Sequence, residues 1–121
     1  MSQEGGAPVE YFEIPSDNIE EIKNFYSRLF KWSFEEGESK DYWLIQNAGI
    51  LGGITKRRTN EQSPTIFVTV NSIDEMVEKS KEYGGQVLVD KHEITEGYFA
   101  VLKDPQNNVF GIWQDKNNQL K

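Results

Sequence analysis

A chain of 121 residues, 27% charged and 36% hydrophobic, has the size and balance of one soluble globular domain that can bury a core without staples. Its formal net charge of −7 repels phosphate backbones and anionic membranes, and the one dense basic run, Lys56-Arg57-Arg58, reads as a solvated turn. The lack of any cysteine excludes disulfides, thiolate nucleophiles and cysteine-ligated zinc, and suits a cytoplasmic address.

Residues 1–7 are polar, carry no hydrophobic period and read as a disordered N-terminal tail; residues 115–121 read as a polar C-terminal tail. No basic start is followed by an apolar run, and no stretch approaches the roughly 20 apolar residues of a membrane helix. A β-rich run around Tyr11-Phe12-Glu13-Ile14 leads to Asn18, with Glu21 three places later. That is a capping box, in which both side chains satisfy free backbone N–H groups at a helix start. Ile19, Ile22, Phe25, Tyr26, Leu29 and Phe30 then recur at helical spacing and predict one buried face. Three short strands follow, at 32–36, 42–46 and 50–55, separated by turn residues.

After a linker at 59–63 the same pattern returns. A shift of 54 lays Asn18 on Ser72, Glu21 on Glu75 and Ile22 on Met76. The second helix shows Ile73, Met76, Val77, Ser80 and Tyr83 on one face and ends at Gly84-Gly85, where glycine takes the left-handed conformation. Strands are predicted at 86–90, 98–103 and 108–114. In the last strands the shift becomes 59, which lays Gly52 on Gly111 and places a net insertion of five in the loop around residues 93–97. The organisation is therefore α+β, a βαβββ unit used twice.

Period two assigns each strand two faces. Phe12, Ile14, Ile66, Val68, Val70, Phe110 and Ile112 form an apolar set expected under the helices. The opposite set, with Tyr11, Glu13, Thr65, Phe67, Thr69, Val109, Gly111 and Trp113, mixes aromatics, hydroxyls and a carboxylate. Trp43 and Phe99 are candidates for the same concavity, and Gly52 and Gly111 remove bulk from it. Such a lining suits a small organic ligand. The expected ligand-binding residues are Tyr11, Glu13, Trp43, Gly52, Thr65, Phe67, Phe99, Gly111 and Trp113.

Several segments together resemble the vicinal-oxygen-chelate superfamily of glyoxalases, bleomycin-resistance proteins and extradiol dioxygenases. They are Tyr11-Phe-Glu-Ile-Pro15, Phe25-Tyr26 ahead of Leu29-Phe30-Lys31-Trp32, Gly52-Gly53-Ile54, and the run from Gly97 through Asp104-Pro105 to Trp113. The resemblance is to its small single-domain members related to lactoylglutathione lyase and covers about residues 8–114, as modules 8–58 and 64–114. It implies a curved, incomplete barrel-like mixed sheet around a central cleft. Asn107 stands where the family usually has glycine, a turn geometry that asparagine tolerates.

Metal-using members of the family place His, Gln or Glu at four strand positions. The resemblance maps these onto Tyr11, Gly52, Thr65 and Gly111. Two glycines offer no side chain, and two hydroxyls are poor ligands for zinc or nickel. The usual metal site is therefore expected to be absent, with no cofactor unless a non-standard divalent-metal site exists. The single histidine, His92, lies among Asp90 and Glu93 and reads as a solvent-facing loop residue. No phosphate loop precedes either helix.

Three functions follow. In the first, a metal-free protein binds or sequesters a small, partly aromatic molecule, with Tyr11, Phe67 and Trp113 stacking and Thr65 and Glu13 as polar anchors. In the second, Glu13 is the general base of a lyase or isomerase step with a metal-free or non-standard site, and Tyr11 donates to an oxyanion. The third is an interaction module. Pairing into a homodimer is implied by the resemblance, whereas nucleic acid and membranes are not expected partners.

Overall fold

In the computed structural model, which describes residues 5–116, ten elements follow one another. They are β1 (Val9–Ser16), α1 (Ile19–Phe30), β2 (Ser33–Glu36), β3 (Tyr42–Gln46), β4 (Leu51–Lys56), β5 (Thr65–Thr69), α2 (Ile73–Glu82), β6 (Gln86–Glu93), β7 (Gly97–Lys103) and β8 (Val109–Asp115). The fold is α+β, with βαβββ used twice. The chain divides into two compact units, one running Glu10–Thr65 and the other joining the described residues up to Val9 to those from Ile66. In the first unit the strands lie in the order β2-β3-β4-β1, and in the second β5-β8-β7-β6. Each set of four strands is mixed: β1 runs parallel to β4 and β5 to β8, while the other pairs within each set are antiparallel.

Both helices start as their sequences dictate. Asn18 and Ser72 each accept a hydrogen bond from the backbone N–H three residues on, at 3.1 Å in both cases. The return arm of the capping box is absent, however. Asn18 N–H donates instead to Ser16 Oγ at 3.0 Å, and the Glu75 carboxylate pairs with Lys79 at 3.1 Å. At the far end of α2, Gly84 adopts φ +97° and Gly85 N–H bonds back to the Ser80 carbonyl at 2.8 Å. α1 ends without a glycine: Lys31 itself takes the left-handed φ of 63°. The Asn47 side chain clamps that turn, donating to the Lys31 carbonyl at 3.2 Å and accepting from Ser33 N–H at 3.0 Å.

Under α1 the core is Ile14, Ile45 and Ile54, with Phe12, Ile19, Ile22, Tyr26, Trp32, Phe34 and Trp43 packed against it. Under α2 it is Val70, Ile73, Ala100, Leu102 and Ile112, with Val68, Met76, Val77, Val87, Tyr98 and Phe110 around them. Buried Gln114 joins this second core to its helix by accepting from Ile73 N–H at 2.8 Å.

Three expectations about burial are overturned. Phe25, Leu29 and Phe30 do not lie in a buried face of α1; all three are exposed. Tyr83 is not on the packed face of α2 but caps its end, 72% exposed. Ile66, the second residue of β5, is exposed as well.

The extra length of the second module is not a loop insertion either. The β6–β7 turn has only residues 94–96, closed by Ile94 and Gly97 bonding each other's backbone. The added residues lengthen β6 and β7, with register shifts between Val87 and Val89 and again between Val89 and His92. Such irregularities suit an edge strand, because they blunt its unpaired backbone.

At the ends, Pro8 is tied by its carbonyl to Thr69 N–H at 2.9 Å. β8 carries ordered backbone through Asp115, inside the stretch expected to be tail. The expected tail positions 1–4 and 117–121 lie outside the described residues.

The basic run is not a free turn. Lys56 ends β4, and Arg57 pairs with Asp17 at 3.3 Å and donates to the Gln62 carbonyl. No helix among the described residues is long and apolar enough to cross a membrane.

Candidate functional site

The register of β1 against β4 decides what each face carries. Phe12 pairs with Gly52, Glu13 with Gly53 and Ile14 with Ile54. Side chains of paired residues share a face. Phe12, Gly52, Ile14 and Ile54 therefore lie on the α1 side, and a Cβ placed on Gly52 would strike the Phe12 ring. Gly53 lies on the other side, where its missing side chain leaves room for the Tyr11 and Tyr42 hydroxyls.

This corrects two expected site residues. Gly52 faces the core rather than the mixed face. Trp43 pairs with Ile54, packs in the same core and is covered by Lys23, whose Nζ sits 3.2 Å from the ring centroid. For Gly52 the cause is one slip of register. In β5 and β8 Phe67 pairs with Gly111, so the residues matching Glu13 and Gly53 are Phe67 and Gly111. Glu13 and Phe67 are 54 apart, but Gly53 and Gly111 are 58 apart, not 59. A shift of one residue along a strand exchanges its faces.

On the mixed face of the first unit, three side chains form a hydrogen-bonded chain. Tyr42 Oη donates to Glu13 Oε2 at 2.8 Å, and Tyr11 Oη is hydrogen-bonded to Tyr42 Oη. A phenol has one proton. With Tyr42 committed to the carboxylate, Tyr11 is the donor in the second bond, so both protons point toward Glu13. Protonating Glu13 would let the whole chain reverse.

All three groups are half-buried, and their acidities follow from that. Burial pushes the Glu13 carboxyl up, while the Tyr42 hydrogen bond and the nearby Arg58 cation pull it back. Burial pushes Tyr11 up to about 12, assisted by the Glu13 charge. Tyr42 lies far above the usual phenol range, through burial first and then the charge of Glu13. Sequence reasoning missed Tyr42 and Arg58. The parity of β3 was legible, but which parity faces Glu13 was not.

In the second unit, the face opposite the α2 core gathers Phe67, Gly111, Trp113 and Phe99. Phe67 pairs with Gly111, where an added Cβ would hit its ring, and Phe99 pairs with Trp113. Trp113 Nε1 donates to Asp115 at 2.6 Å. His92 is in strand β6 rather than a loop, exposed, with its ring 5.3 Å from that of Phe99. The Thr65 hydroxyl donates to the Ser63 carbonyl at 3.0 Å. Among the described residues no cluster of three or more His, Asp and Glu side chains is placed to hold a metal ion.

No family model matches the sequence. A curated mycobacterial protein named "Putative glyoxylase CFP32", from Mycobacterium tuberculosis and Mycobacterium bovis, is 22% identical over 120 residues, covering 90% of this chain. The match takes in 46% of that protein, so the chain spans about half the length of the curated relatives it matches. A solved glyoxalase/bleomycin resistance protein/dioxygenase superfamily member from Vibrio splendidus superposes with a TM-score of 0.68 at 11% identity, over 90% of this chain and 99% of that one. The chain shares the fold of that glyoxalase/bleomycin resistance/dioxygenase superfamily member. Methylmalonyl-CoA epimerase from Mycobacterium tuberculosis shares the fold too, with a TM-score of 0.62 at 7% identity over 93% of this chain and 90% of its own. Proteins of this fold thus carry quite different activities, and the activity of this one has to be argued from its own side chains.

Proposed function

We propose that the chain is a small-molecule-binding, glyoxalase-like protein of the cytoplasm that holds a small, partly aromatic ligand without using a metal. The observation that carries this reading is the Tyr11–Tyr42–Glu13 chain on the open face of the first sheet. The four positions that the family resemblance implies for metal ligands hold Tyr11, Thr65, Gly111 and, once the register is corrected, Gly53. That set supplies no imidazole and no carboxylate, the donors zinc and nickel favour. What the face offers instead is a carboxylate already oriented by a phenol, with a second phenol behind it. Such a group selects a cation or a strong hydrogen-bond donor, while Tyr11 supplies ring surface.

The test has two arms on the 121-residue chain. In the first, metal content is measured before and after incubation with zinc, nickel, iron and manganese; no stoichiometric ion is expected. In the second, benzylamine and phenylguanidine are compared with uncharged benzyl alcohol by thermal shift. The aromatic cations are expected to stabilise the protein, and Glu13→Gln to weaken them by about tenfold, the loss of one charge-assisted bond. One tightly bound ion per chain would overturn the proposal and move a metal-dependent lyase or dioxygenase reading to first place. Turnover of a bound compound that is lost in Glu13→Gln would instead mark Glu13 as a general base in a metal-free lyase or isomerase.

A further inference from the structure

The two arginines that follow β4 are engaged differently. Arg57 N–H continues the β1–β4 pairing by donating to the Ser16 carbonyl at 2.8 Å. Its guanidinium is held twice, by Asp17 at 3.3 Å and by the Gln62 carbonyl. Arg58 is held through its backbone: its N–H donates to Gln62 Oε1, which also accepts from Thr59 N–H at 3.2 Å. One glutamine thus clamps this stretch of the linker and fixes where the Arg58 side chain starts. That side chain is exposed and makes no ion pair among the described residues.

Arg58 stands close enough to Glu13 for its charge to pull the carboxyl down, yet no ion pair joins the two. Joined, they would neutralise each other and offer a ligand little. Instead Glu13 commits Oε2 to Tyr42 at 2.8 Å, and Arg58 is rooted past the end of β4. A half-buried anion and an exposed cation therefore stand near each other within the unit Glu10–Thr65, and Tyr11 shares the strand face of the anion. A ligand with a single charge is attracted by one of these groups and repelled by the other. A ligand with both charges gains from both. The guanidinium fork suits a carboxylate, and the Glu13 carboxylate suits an ammonium. An α-amino acid carries those two groups on one carbon, which fits neighbouring rather than distant partners.

We propose that the ligand of this face is a zwitterion of the aromatic α-amino-acid class, with its ammonium on Glu13, its carboxylate on Arg58 and its ring on Tyr11. This rests on the binding reading of the Glu13 face and narrows it. Arg58 is then the residue that separates an amino acid from a bare aromatic amine.

Three probes with the same ring and reach test this on the 121-residue chain by titration calorimetry. L-Phenylalanine carries both charges, phenethylamine lacks the carboxylate and 3-phenylpropionate lacks the ammonium. L-Phenylalanine is expected to bind at least tenfold tighter than either, the gain of one charge-assisted bond. Arg58→Gln should cancel its lead over phenethylamine, which itself should bind severalfold tighter once the neighbouring cation is gone. Glu13→Gln should weaken L-phenylalanine at least tenfold and let 3-phenylpropionate gain severalfold. Each variant gains one probe while losing another, a result that a damaged fold cannot imitate. Phenethylamine binding that depends on Glu13, with L-phenylalanine no tighter, would overturn the zwitterion and leave the aromatic-cation reading standing. The proposal also falls if Arg58→Gln leaves the lead intact. Binding of none of the three would overturn it together with the reading beneath it.

Discussion

Tyr42 reaches from β3 across β4 to Glu13 on β1, and it can do so only because the strand between them carries Gly53. A Cβ on Gly53 would occupy the position where the Tyr11 and Tyr42 hydroxyls meet. The polar chain and the glycine are one feature.

Gly53→Ala is therefore expected to push both phenols aside and destabilise the protein by about 1–3 kcal/mol, the usual cost of overpacking. Thermal denaturation checks the stability. Loss of the late-titrating tyrosines in an ultraviolet pH titration checks the displacement.

Glu13→Gln is expected to stabilise the fold at neutral pH while weakening ligand binding. Burial raises the folded pKa of Glu13 above its unfolded value. Such a group adds stability that is fully present below the unfolded pKa and is lost as pH rises through the folded one. At neutral pH the wild type therefore bears the cost of a half-buried charge that glutamine avoids. The melting-temperature advantage of the variant should shrink as pH falls below the ordinary carboxylate range, and one that persists unchanged there would sink this account.

At high pH the two bonded tyrosines set the behaviour. Tyr11 is raised from 10.0 to about 12 and Tyr42 further, so both contribute stability that is lost as pH climbs through this range. Both should ionise above the ordinary phenol range. Tyr42→Phe should remove one late step, and the alkaline unfolding midpoint should move with it.

Asn47→Ala should cost roughly 1–3 kcal/mol in thermal or urea denaturation. It removes the bonds to Lys31 and Ser33 and forces alanine to adopt the φ of 50° seen at this position. Lys31→Gly should go the other way, by about 0.5–1 kcal/mol, because glycine holds the left-handed turn without strain.

Local signals in the chain announced the two helices, their N-caps, the left-handed Gly84, and Asn107, whose φ is 68°. They also gave the strand count and the doubled βαβββ order. Caps, turns and periodicity are written within a few residues of where they act, so the sequence alone determined them. It also separated each strand into two faces.

Tertiary structure alone decided which faces meet. Pairing β1 with β4 is a contact between residues about 40 positions apart. No local signal distinguishes an offset of 58 from 59 there, yet that single residue moves Gly52 to the core and Gly53 to the mixed face. Trp43 and Tyr42 are neighbours in β3 and so face opposite ways, and only the pairing of the strands decides that it is Tyr42 that bonds Glu13. The apolar stripe of α1 likewise showed its full width in the sequence. How much of it the sheet could cover depended on the size of that sheet, because a helix presents a cylinder of side chains and a sheet covers only one side of it.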